Sequence, residues 1–463
     1  MHYPWWYVPH LTSPMLIAFI AVVHVLVSHY AVGGGLFLFV ETRHAHRTSN
    51  REYLDYLHRH ARFFVLLTVV FGAITGVGIW WTIGLASPLA TEVLIHTFVF
   101  GWAMEYVFFV IELAAAFLFL YFWGRVTPRT HVLFAGVYAF AAWVSLVLIT
   151  GITGFMLNSG NWPERGGFWN GFFNPQFAPQ VLARTGGSLL LASMYVYFHA
   201  SICSPSSALR EIIGRRSARP ALLGAVLIVA GGAGWFANLP ESSVAALMKA
   251  PALNIFMAIL FAVTVAVFAM LYFGPYRNPA WLTPGFGVLF LMFGIVAVTV
   301  GEFVREAVRK PYIVHNVVMS SNILASEIPG HRAAGFLESG PWTRALIAAK
   351  FPQVMDGTRI DERRLLDLPP PQRIEAGEIL FMHHCNDCHA TDTGLSAIPH
   401  VTIGWAPEMI HDVVTSPELF HHYMPPFAGT PEESQVLAEW IESVRPPFPA
   451  GMRFGPASAE GGE

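Results

Sequence analysis

The residues of this chain best suited to chemistry lie near its C-terminus, where Cys385, Cys388 and His389 form a C-x-x-C-H motif. This motif is the covalent attachment signature of a c-type heme, in which each thiol adds to a vinyl group and the histidine binds the iron. Met424, in a downstream Tyr-Met-Pro-Pro-Phe loop, is the expected second ligand, and a thioether opposite histidine raises the reduction potential.

A zinc knuckle and a redox dithiol are the alternatives for a C-x-x-C sequence. Zinc needs two further ligands of suitable spacing, and the third cysteine, Cys203, lies far away in an apolar segment. Histidines also flank the motif, and we expect surface or packing roles for them: His383, His384, His421 and His422. Heme c therefore remains the favoured interpretation.

Residues 372–445 resemble a small class I cytochrome c domain. The resemblance rests on Gly377 to Phe381 leading into the heme motif, on the Met-Pro-Pro-Phe loop, and on a final helix predicted from Val436 to Ser443. Thr430 is a suitable N-cap ahead of this helix, with acidic residues in the first turn.

The rest of the composition indicates a membrane protein. Of 463 residues, 54% are hydrophobic and 12% charged, about half the usual charged fraction of a soluble domain. The net charge of −3 gives no basis for nucleic-acid binding. We predict an all-α fold, a polytopic bundle of about eight transmembrane helices in the lipid bilayer with a small α-helical cytochrome c domain. The predicted spans are Pro14–Val40, Phe63–Leu85, Val93–Trp123, Val132–Leu157, Ser188–Cys203, Ala221–Ala237, Leu253–Phe273 and Phe286–Val304.

Basic residues predict the orientation. Twelve arginines lie in the loops after spans one, three, five and seven, whereas the alternate loops hold only Arg165, Arg184 and Lys249. The arginine-rich loops are expected to be cytoplasmic. Both termini then lie outside, where heme c is attached, so we expect a multi-pass protein of the bacterial inner membrane with periplasmic termini. The first apolar run is expected to remain as a helix and not to be cleaved as a signal peptide.

The predicted domains are a membrane domain (1–312), a linker (313–371), the cytochrome c domain (372–447) and a flexible tail (448–463). Within the linker we expect a short helix at Ala345–Lys350 and a stiff hinge at Pro369–Pro371.

Ionisable residues within the apolar spans are the remaining candidates, because a charge in hydrocarbon is costly. His24 lies near three glycines that either pack helices or make room for a macrocycle, and Glu105 and Glu112 lie on one helix face. These acids form either a proton path or heme-side ligand, or a hydrogen-bonded buried pair. A charged stripe ends the last span, and it either pairs with itself or holds a heme ligand with arginines for propionates: Glu302, Arg305, Glu306 and Arg309.

Together these segments resemble subunit I of cytochrome bd-type oxidases over roughly residues 10–315. His24 followed by Gly33 resembles that family's first-helix heme ligand, and Glu105 and Glu112 resemble its paired helix-three acids. The sequence from Gly301 through Glu306 and Arg309 to Tyr312 resembles the motif that carries a glutamate heme ligand. The resemblance implies two non-covalent hemes of b or d type, ligated by His24 and Glu306. It also implies propionate contacts from Arg305 and Arg309, and proton delivery by the two acids.

The sequence also departs from that family. Arg184 stands where the family has a histidine ligand of a low-spin heme, and only a short turn replaces the long external quinol loop. We therefore expect an oxidoreductase that receives electrons through its own heme c and not from quinol, as a bd-like oxygen reductase subunit. The expected partners are a second polytopic subunit, similar to bd subunit II, and a periplasmic donor or c-type cytochrome. The alternatives are an electron-relay subunit without oxygen chemistry, and a heme c carrier whose membrane part is only an anchor.

Overall fold

Long apolar runs form eight helices of sufficient length to cross a bilayer in the part of the chain that is described. The computed structural model describes residues 6–203 and 206–446. The spans, numbered 1 to 8 in chain order, are Ser13–Arg47, Arg51–Ala86, Val99–Tyr121, Pro128–Phe155, Phe177–Ile202, Ser207–Ala237, Pro251–Tyr276 and Pro284–Ala307. The predicted all-α architecture of about eight membrane helices and a small helical domain is confirmed.

Several spans are longer than the apolar runs that predict them. Span 1 has 35 residues, which corresponds to about 52 Å at 1.5 Å per residue, well beyond a hydrocarbon core of about 30 Å. Arg43 and Arg47, predicted to lie in a loop, therefore form the end of this helix. Span 5 begins at Phe177, so Arg184 lies inside the helix and not before it.

Irregular segments occur in span 2, at the start of the predicted third span, and at the end of span 7, where the π-helix Tyr272–Tyr276 contains a non-helical Gly274. Span 2 consists of the α-helices Arg51–Val65 and Gly72–Ala86, joined by the π-helix Leu66–Phe71. The predicted third span is divided at Phe98, whose backbone (φ −119°, ψ 29°) is not helical, and a separate helix, Pro88–Thr97, precedes the break. Such π-segments often occur where a helix must place a functional side chain.

Close contacts between small residues hold the membrane unit, Ile17–Gly84 with Pro88–His315, together. Spans 5 and 6 approach so closely that a Cβ at Gly186 would lie 2.3 Å from the Gly224 carbonyl oxygen. A Cβ at Gly33 of span 1 would lie 1.9 Å from the Ser188 carbonyl oxygen. Gly33, after His24, therefore serves close helix packing.

Among the described residues, the second compact unit comprises 6–16, 85–87 and 316–446. Its helices Pro370–His384 and Pro431–Val444 cross at Gly377, where a Cβ would lie 2.4 Å from the Val436 carbonyl oxygen. The last helix is longer than predicted because Pro431 already begins it. Thr430 is its N-cap, as predicted, and forms a capping box with Glu433.

Residues 316–371, expected to be a linker, fold as part of this unit. Phe336, Leu337 and Ile347 are fully buried. The carboxylate of Glu433 accepts hydrogen bonds from the Phe336 and Leu337 backbone N–H groups at 2.9 and 2.6 Å. The expected helix at Ala345–Lys350 is most of the observed Thr343–Lys350. Pro370 begins the helix Pro370–His384, so the prolines start a helix and do not form a free hinge. The tail 448–463 lies outside the described residues.

The remaining elements are short. In the membrane unit they are Trp162–Arg165, Phe168–Phe172, Glu241–Lys249 and the 3-10 helix Pro279–Trp281. In the second unit they are Ala325–Glu327, Ile328–Ala334, Phe336–Ser339, Pro352–Val354, Arg363–Leu366, Ile398–Val401, Pro407–Thr415 and Pro417–Phe420. The described strands are Tyr312–Val314, Val317–Val318 and the antiparallel pair Met355–Asp356 and Arg359–Ile360.

Candidate functional site

The C-x-x-C-H motif forms a tight turn at the end of the helix Pro370–His384. The Cys385 N–H donates to the Phe381 carbonyl at 2.8 Å, and the N–H groups of Cys388 and His389 donate to the Cys385 carbonyl at 3.1 and 2.9 Å. Cys385 and Cys388 are not joined by a disulfide. The turn therefore keeps both thiols and the imidazole together, as attachment of one heme requires.

The imidazole of His389 is oriented by a backbone carbonyl. Its Nδ1 lies 2.8 Å from the Ser396 carbonyl oxygen, and Nδ1 must donate because a carbonyl can only accept. Nε2 then carries the lone pair that an iron ligand needs. No group of three or more His, Cys, Asp or Glu residues that could hold a metal ion occurs in 6–203 or 206–446.

The loop that carries Met424 packs against the same helix end. The Met424 N–H donates to the His421 carbonyl at 2.9 Å. Phe427 lies against the ring of His384, with ring centroids 4.7 Å apart, and its carbonyl accepts from Arg332 Nε at 2.6 Å. His383 and His384 are thus packing residues, and the methionine loop is tied to the helix that ends at the heme motif.

A second contact holds the motif itself. The Ser320 N–H donates to Asp387 Oδ2 at 2.6 Å, and the Asp387 N–H donates to Ser320 Oγ at 3.1 Å. Asp387 is buried. This reciprocal pair of hydrogen bonds holds the turn between the two cysteines. Ser320 belongs to the segment that was expected to be a linker.

In the membrane unit, His24 of span 1 faces span 2. Its Nδ1 lies 3.0 Å from Thr75 Oγ1, and that hydroxyl donates its own hydrogen to the Phe71 or Gly72 carbonyl, at 3.0 and 3.1 Å. When the hydroxyl donates to one of these carbonyls, it accepts from Nδ1–H of His24. Nε2 of His24 is left with its lone pair, which suits an iron ligand.

The two acids of span 3 meet one hydroxyl of span 4. Ser145 Oγ donates to Glu105 Oε1 at 3.1 Å. Glu112 interacts with the same hydroxyl and electrostatically with Glu105. Both carboxyl groups are partly buried. Ser145 is a functional candidate that sequence analysis missed, since a single serine in an apolar run is not a distinctive signal.

The charged stripe at the end of span 8 pairs along its own helix. Arg305 Nε lies 2.8 Å from Glu302 Oε2, and Arg309 forms an ion pair with Glu306. The charged stripe therefore adopts the self-paired arrangement, in which its acids and arginines bind each other. No hydrogen bond or ion pair within the described chain joins the stripe to His24.

One donor atom of the charged stripe nevertheless lacks an acceptor among the described residues and could donate to a bound anion. Arg309 is buried, and its Nε has no hydrogen-bond partner among the described residues. An unsatisfied buried donor of a charged group costs about 1–3 kcal/mol or more. A heme propionate is an anion that a guanidinium binds well, so the site fits the group that the sequence resemblance implies.

Arg184 of span 5 belongs to a group of charges that the sequence does not bring together. It interacts electrostatically with Glu302 of span 8, and His29 of span 1 interacts with both. The Nδ1–H of His29 donates to the Val25 carbonyl at 3.0 Å. A guanidinium carries no lone pair for iron, so Arg184 cannot replace a histidine ligand.

Two buried polar contacts were not predicted. Arg216, counted as a cytoplasmic loop residue, contacts both carboxylate oxygens of Glu41 at 2.5 and 3.0 Å, and the Tyr53 hydroxyl donates to the same carboxylate at 2.8 Å. His60 is fully buried and lies 3.1 Å from the Tyr30 hydroxyl. Both contacts join residues distant along the chain, so spacing alone carries no signal for them.

Comparison with known proteins agrees with both parts of this description. Residues 13–237 match the family model of cytochrome bd terminal oxidase subunit I, and residues 372–441 match that of cytochrome c oxidase, cbb3-type, subunit III. The first match includes His24, Glu105 and Glu112 but not the charged stripe. No curated protein matches the chain.

A solved structure supports the fold. The bd oxidase from Geobacillus thermodenitrificans is similar with a TM-score of 0.56 and 18% sequence identity, over 66% of this chain and 88% of that one. The cytochrome c match implies a covalent heme c, and the bd match implies further hemes. The chain therefore joins a multi-pass membrane domain similar to subunit I of cytochrome bd terminal oxidases to a C-terminal cytochrome c domain, as a heme protein of respiratory electron transport.

Proposed function

We propose that the chain is the heme-bearing subunit of an oxygen reductase that receives electrons through its own heme c and not from quinol. The observation that carries this proposal is the presence, in one chain, of a bd subunit I-like domain and a cytochrome c domain. The donor would be a periplasmic protein or c-type cytochrome. Heme supplies one-electron transfer and, at an open iron position, oxygen chemistry.

The cytochrome c domain would hold its heme through Cys385 and Cys388, with His389 and Met424 as the iron ligands. The bond from His389 Nδ1 to the Ser396 carbonyl supports this assignment because it presents Nε2. The chain would thus prepare the proximal ligand before the heme arrives.

The membrane domain would hold two non-covalent hemes of b or d type, with His24 and Glu306 as ligands. The hydrogen bond between His24 Nδ1 and Thr75 Oγ1 supports the first assignment because it orients the imidazole. For Glu306 to bind iron, Arg309 would have to release it and turn to a propionate, and its unpartnered Nε supports that role. Arg305 would bind the second propionate.

Glu105 and Glu112 would pass protons from the cytoplasmic side. Ser145 supports this role because its hydroxyl donates to Glu105 and also interacts with Glu112. A serine hydroxyl both donates and accepts, which a proton relay requires.

Arg184 and the short connection between spans 6 and 7 support entry of electrons at heme c. Residues 238–250 hold only the nine-residue helix Glu241–Lys249, and Arg184 cannot ligate the low-spin heme of the resembled family. The chain would then lack the usual entry for quinol electrons.

The expected second polytopic subunit and the location in the bacterial inner membrane, with periplasmic termini, are part of this proposal. Hydrogen bonds between Tyr7 and Thr391, and between His10 and Leu395, support termini on one side of the membrane. An even number of spans and the external attachment of heme c agree with that side being the outside.

An electron relay without oxygen chemistry is the second candidate. The ion pair between Glu306 and Arg309 favours it, because a paired glutamate is not available to iron. The two functions differ in whether the purified chain, with its partner subunit, consumes oxygen.

The test is a heme count followed by oxygen uptake. Pyridine hemochrome spectra should give one covalent heme and two acid-acetone-extractable hemes per chain, and oxygen uptake should occur with reduced cytochrome c but not with quinol. His24→Ala should lose one extractable heme, whereas the matched control His29→Ala should keep both. A count of covalent heme alone, or no uptake with any donor, would contradict the oxidase proposal.

A further inference from the structure

The N-terminal segment of residues 7–10, which we call the strap, is bonded to the loop that follows His389. The Tyr7 hydroxyl accepts from the Thr391 N–H at 3.0 Å and lies 3.0 Å from Thr391 Oγ1. His10 Nδ1 lies 2.8 Å from Thr393 Oγ1 and 3.1 Å from the Thr393 carbonyl oxygen. The strap is thus held at both ends.

The backbone of the strap is also hydrogen-bonded to Leu395, the residue before Ser396. The Leu395 N–H donates to the His10 carbonyl at 2.8 Å. Gly394 (φ +109°) leaves room for this approach, since a Cβ there would lie 2.1 Å from the His10 carbonyl oxygen. The contact therefore requires a glycine at 394.

Ser396 is the residue whose carbonyl accepts from His389 Nδ1. It has a φ of 47°, a left-handed conformation that a residue other than glycine keeps only when its surroundings determine it. The Ala390 N–H closes the loop by donating to the Leu395 carbonyl at 3.2 Å. The hydrogen bonds from the strap are part of the surroundings that hold this loop in its conformation.

We propose that Tyr7 and His10 are positioning residues for the iron ligand His389. They hold the loop 390–396 so that the Ser396 carbonyl stays in line with His389 Nδ1, and they act on the iron only through that bond. This inference rests on the proposed heme c at Cys385 and Cys388, and it concerns a segment that no family match assigns to the heme c site, since the cytochrome c match spans only 372–441.

Loss of the strap contacts should change the reduction potential of heme c in one direction. A carbonyl that accepts from Nδ1–H makes the imidazole a stronger electron donor to the iron, which stabilises the ferric state and lowers the potential. Release of the strap weakens this bond. The potential of heme c should therefore rise.

The test is the midpoint potential of heme c in the purified, fully loaded protein, followed spectroelectrochemically in its α band. Tyr7→Phe keeps the ring and removes the hydroxyl, and His10→Ala removes the side-chain contact with Thr393. Each should shift the potential upward, and the double variant should shift it further. His10→Asn, whose amide nitrogen takes the place of Nδ1, should restore the wild-type value.

Gln353→Ala is the matched control, because it removes an exposed hydrogen bond to Gln372 elsewhere in the same unit. A role in folding alone would lower the melting temperature of the strap variants and leave the potential where it was. An unchanged or lowered potential in the double variant overturns the inference. Absence of covalent heme from the wild-type chain would instead overturn the proposed function, and this inference with it.

Discussion

The imidazole of His24 and the hydroxyl of Thr75 are joined by a hydrogen bond of 3.0 Å between spans 1 and 2. Thr75 Oγ1 also lies 3.0 and 3.1 Å from the Phe71 and Gly72 carbonyl oxygens of its own helix. When the hydroxyl donates to either carbonyl, it accepts from His24 Nδ1–H, and the lone pair that an iron ligand needs then lies on Nε2.

Thr75→Val keeps the shape of the side chain and removes this acceptor. Partners of this kind typically contribute about 10- to 100-fold in metal affinity, so the variant should lose one extractable heme more easily. Heme retention during detergent dilution measures this. Thr264→Val is the control, since Thr264 bonds only its own helix in span 7. Equal retention in both variants would contradict the ligand role of His24.

Ser145→Ala removes the hydroxyl that interacts with Glu105 and Glu112. A lost hydrogen bond to an ionisable group costs about 1.5–3 kcal/mol, so we expect oxygen turnover to fall roughly tenfold or more. Stopped-flow heme reduction by the donor should be unaffected, because electron entry does not involve this serine. Loss of both rates together would indicate a structural defect.

Met424→Ala should lower the midpoint potential of heme c. A thioether stabilises ferrous iron, and axial ligands set heme potentials over about 0.8 V, so a shift on the order of 0.1 V is expected. Met409→Ala is the control, because Met409 is an exposed methionine of the same unit. If both variants keep the wild-type potential, Met424 is not the ligand.

The cytochrome c unit should be destabilised by acid through His383 and His384. Burial lowers the pKa of His383 to about 4 and that of His384 to about 3, from 6.5. The unfolded chain thus takes up protons near pH 6.5 that the folded chain does not bind, and the free energy of unfolding falls as pH drops from about 6.5 towards 4.

The matched variant is His384→Phe, which keeps an aromatic ring against Phe336 and Phe427. In this variant the acid limb, which is the fall in the free energy of unfolding from about pH 6.5 towards 4, should be less steep. Guanidinium unfolding followed by heme c circular dichroism measures it. His411→Gln, at an exposed position, should leave the limb as steep as in the wild type. An unchanged slope in His384→Phe would exclude its titration as the cause.

Arg216→Met should destabilise the membrane unit. Glu41 is 4% exposed and paired with Arg216 at both carboxylate oxygens, and breaking a buried pair costs about 3–5 kcal/mol. Thermal unfolding in detergent measures the loss. The neighbouring Arg215→Met removes only an exposed pair with Glu211, which contributes about 0–1 kcal/mol. Similar melting temperatures for the two variants would contradict this difference.

Local geometry was the part of the candidate site that followed most directly from the sequence. The cysteines and histidine of the heme motif lie within five residues, and the capping box of Thr430 and Glu433 within four, so their geometry follows from short chain segments. The number of spans followed from apolar length, because the bilayer core sets a minimum that composition reveals. Helix ends were less well predicted, since helices continue beyond the hydrocarbon that defines the apolar runs.

Which distant residues form hydrogen bonds with each other was decided only by the tertiary structure. Thr75 as the acceptor for His24, Ser145 between the two acids, and the strap on the loop after His389 each join segments far apart in the chain. A sequence shows which side chains can donate or accept, whereas packing determines which of them meet. The residue types of this protein thus indicated heme binding, and the fold determined which hydrogen bonds surround the proposed ligands.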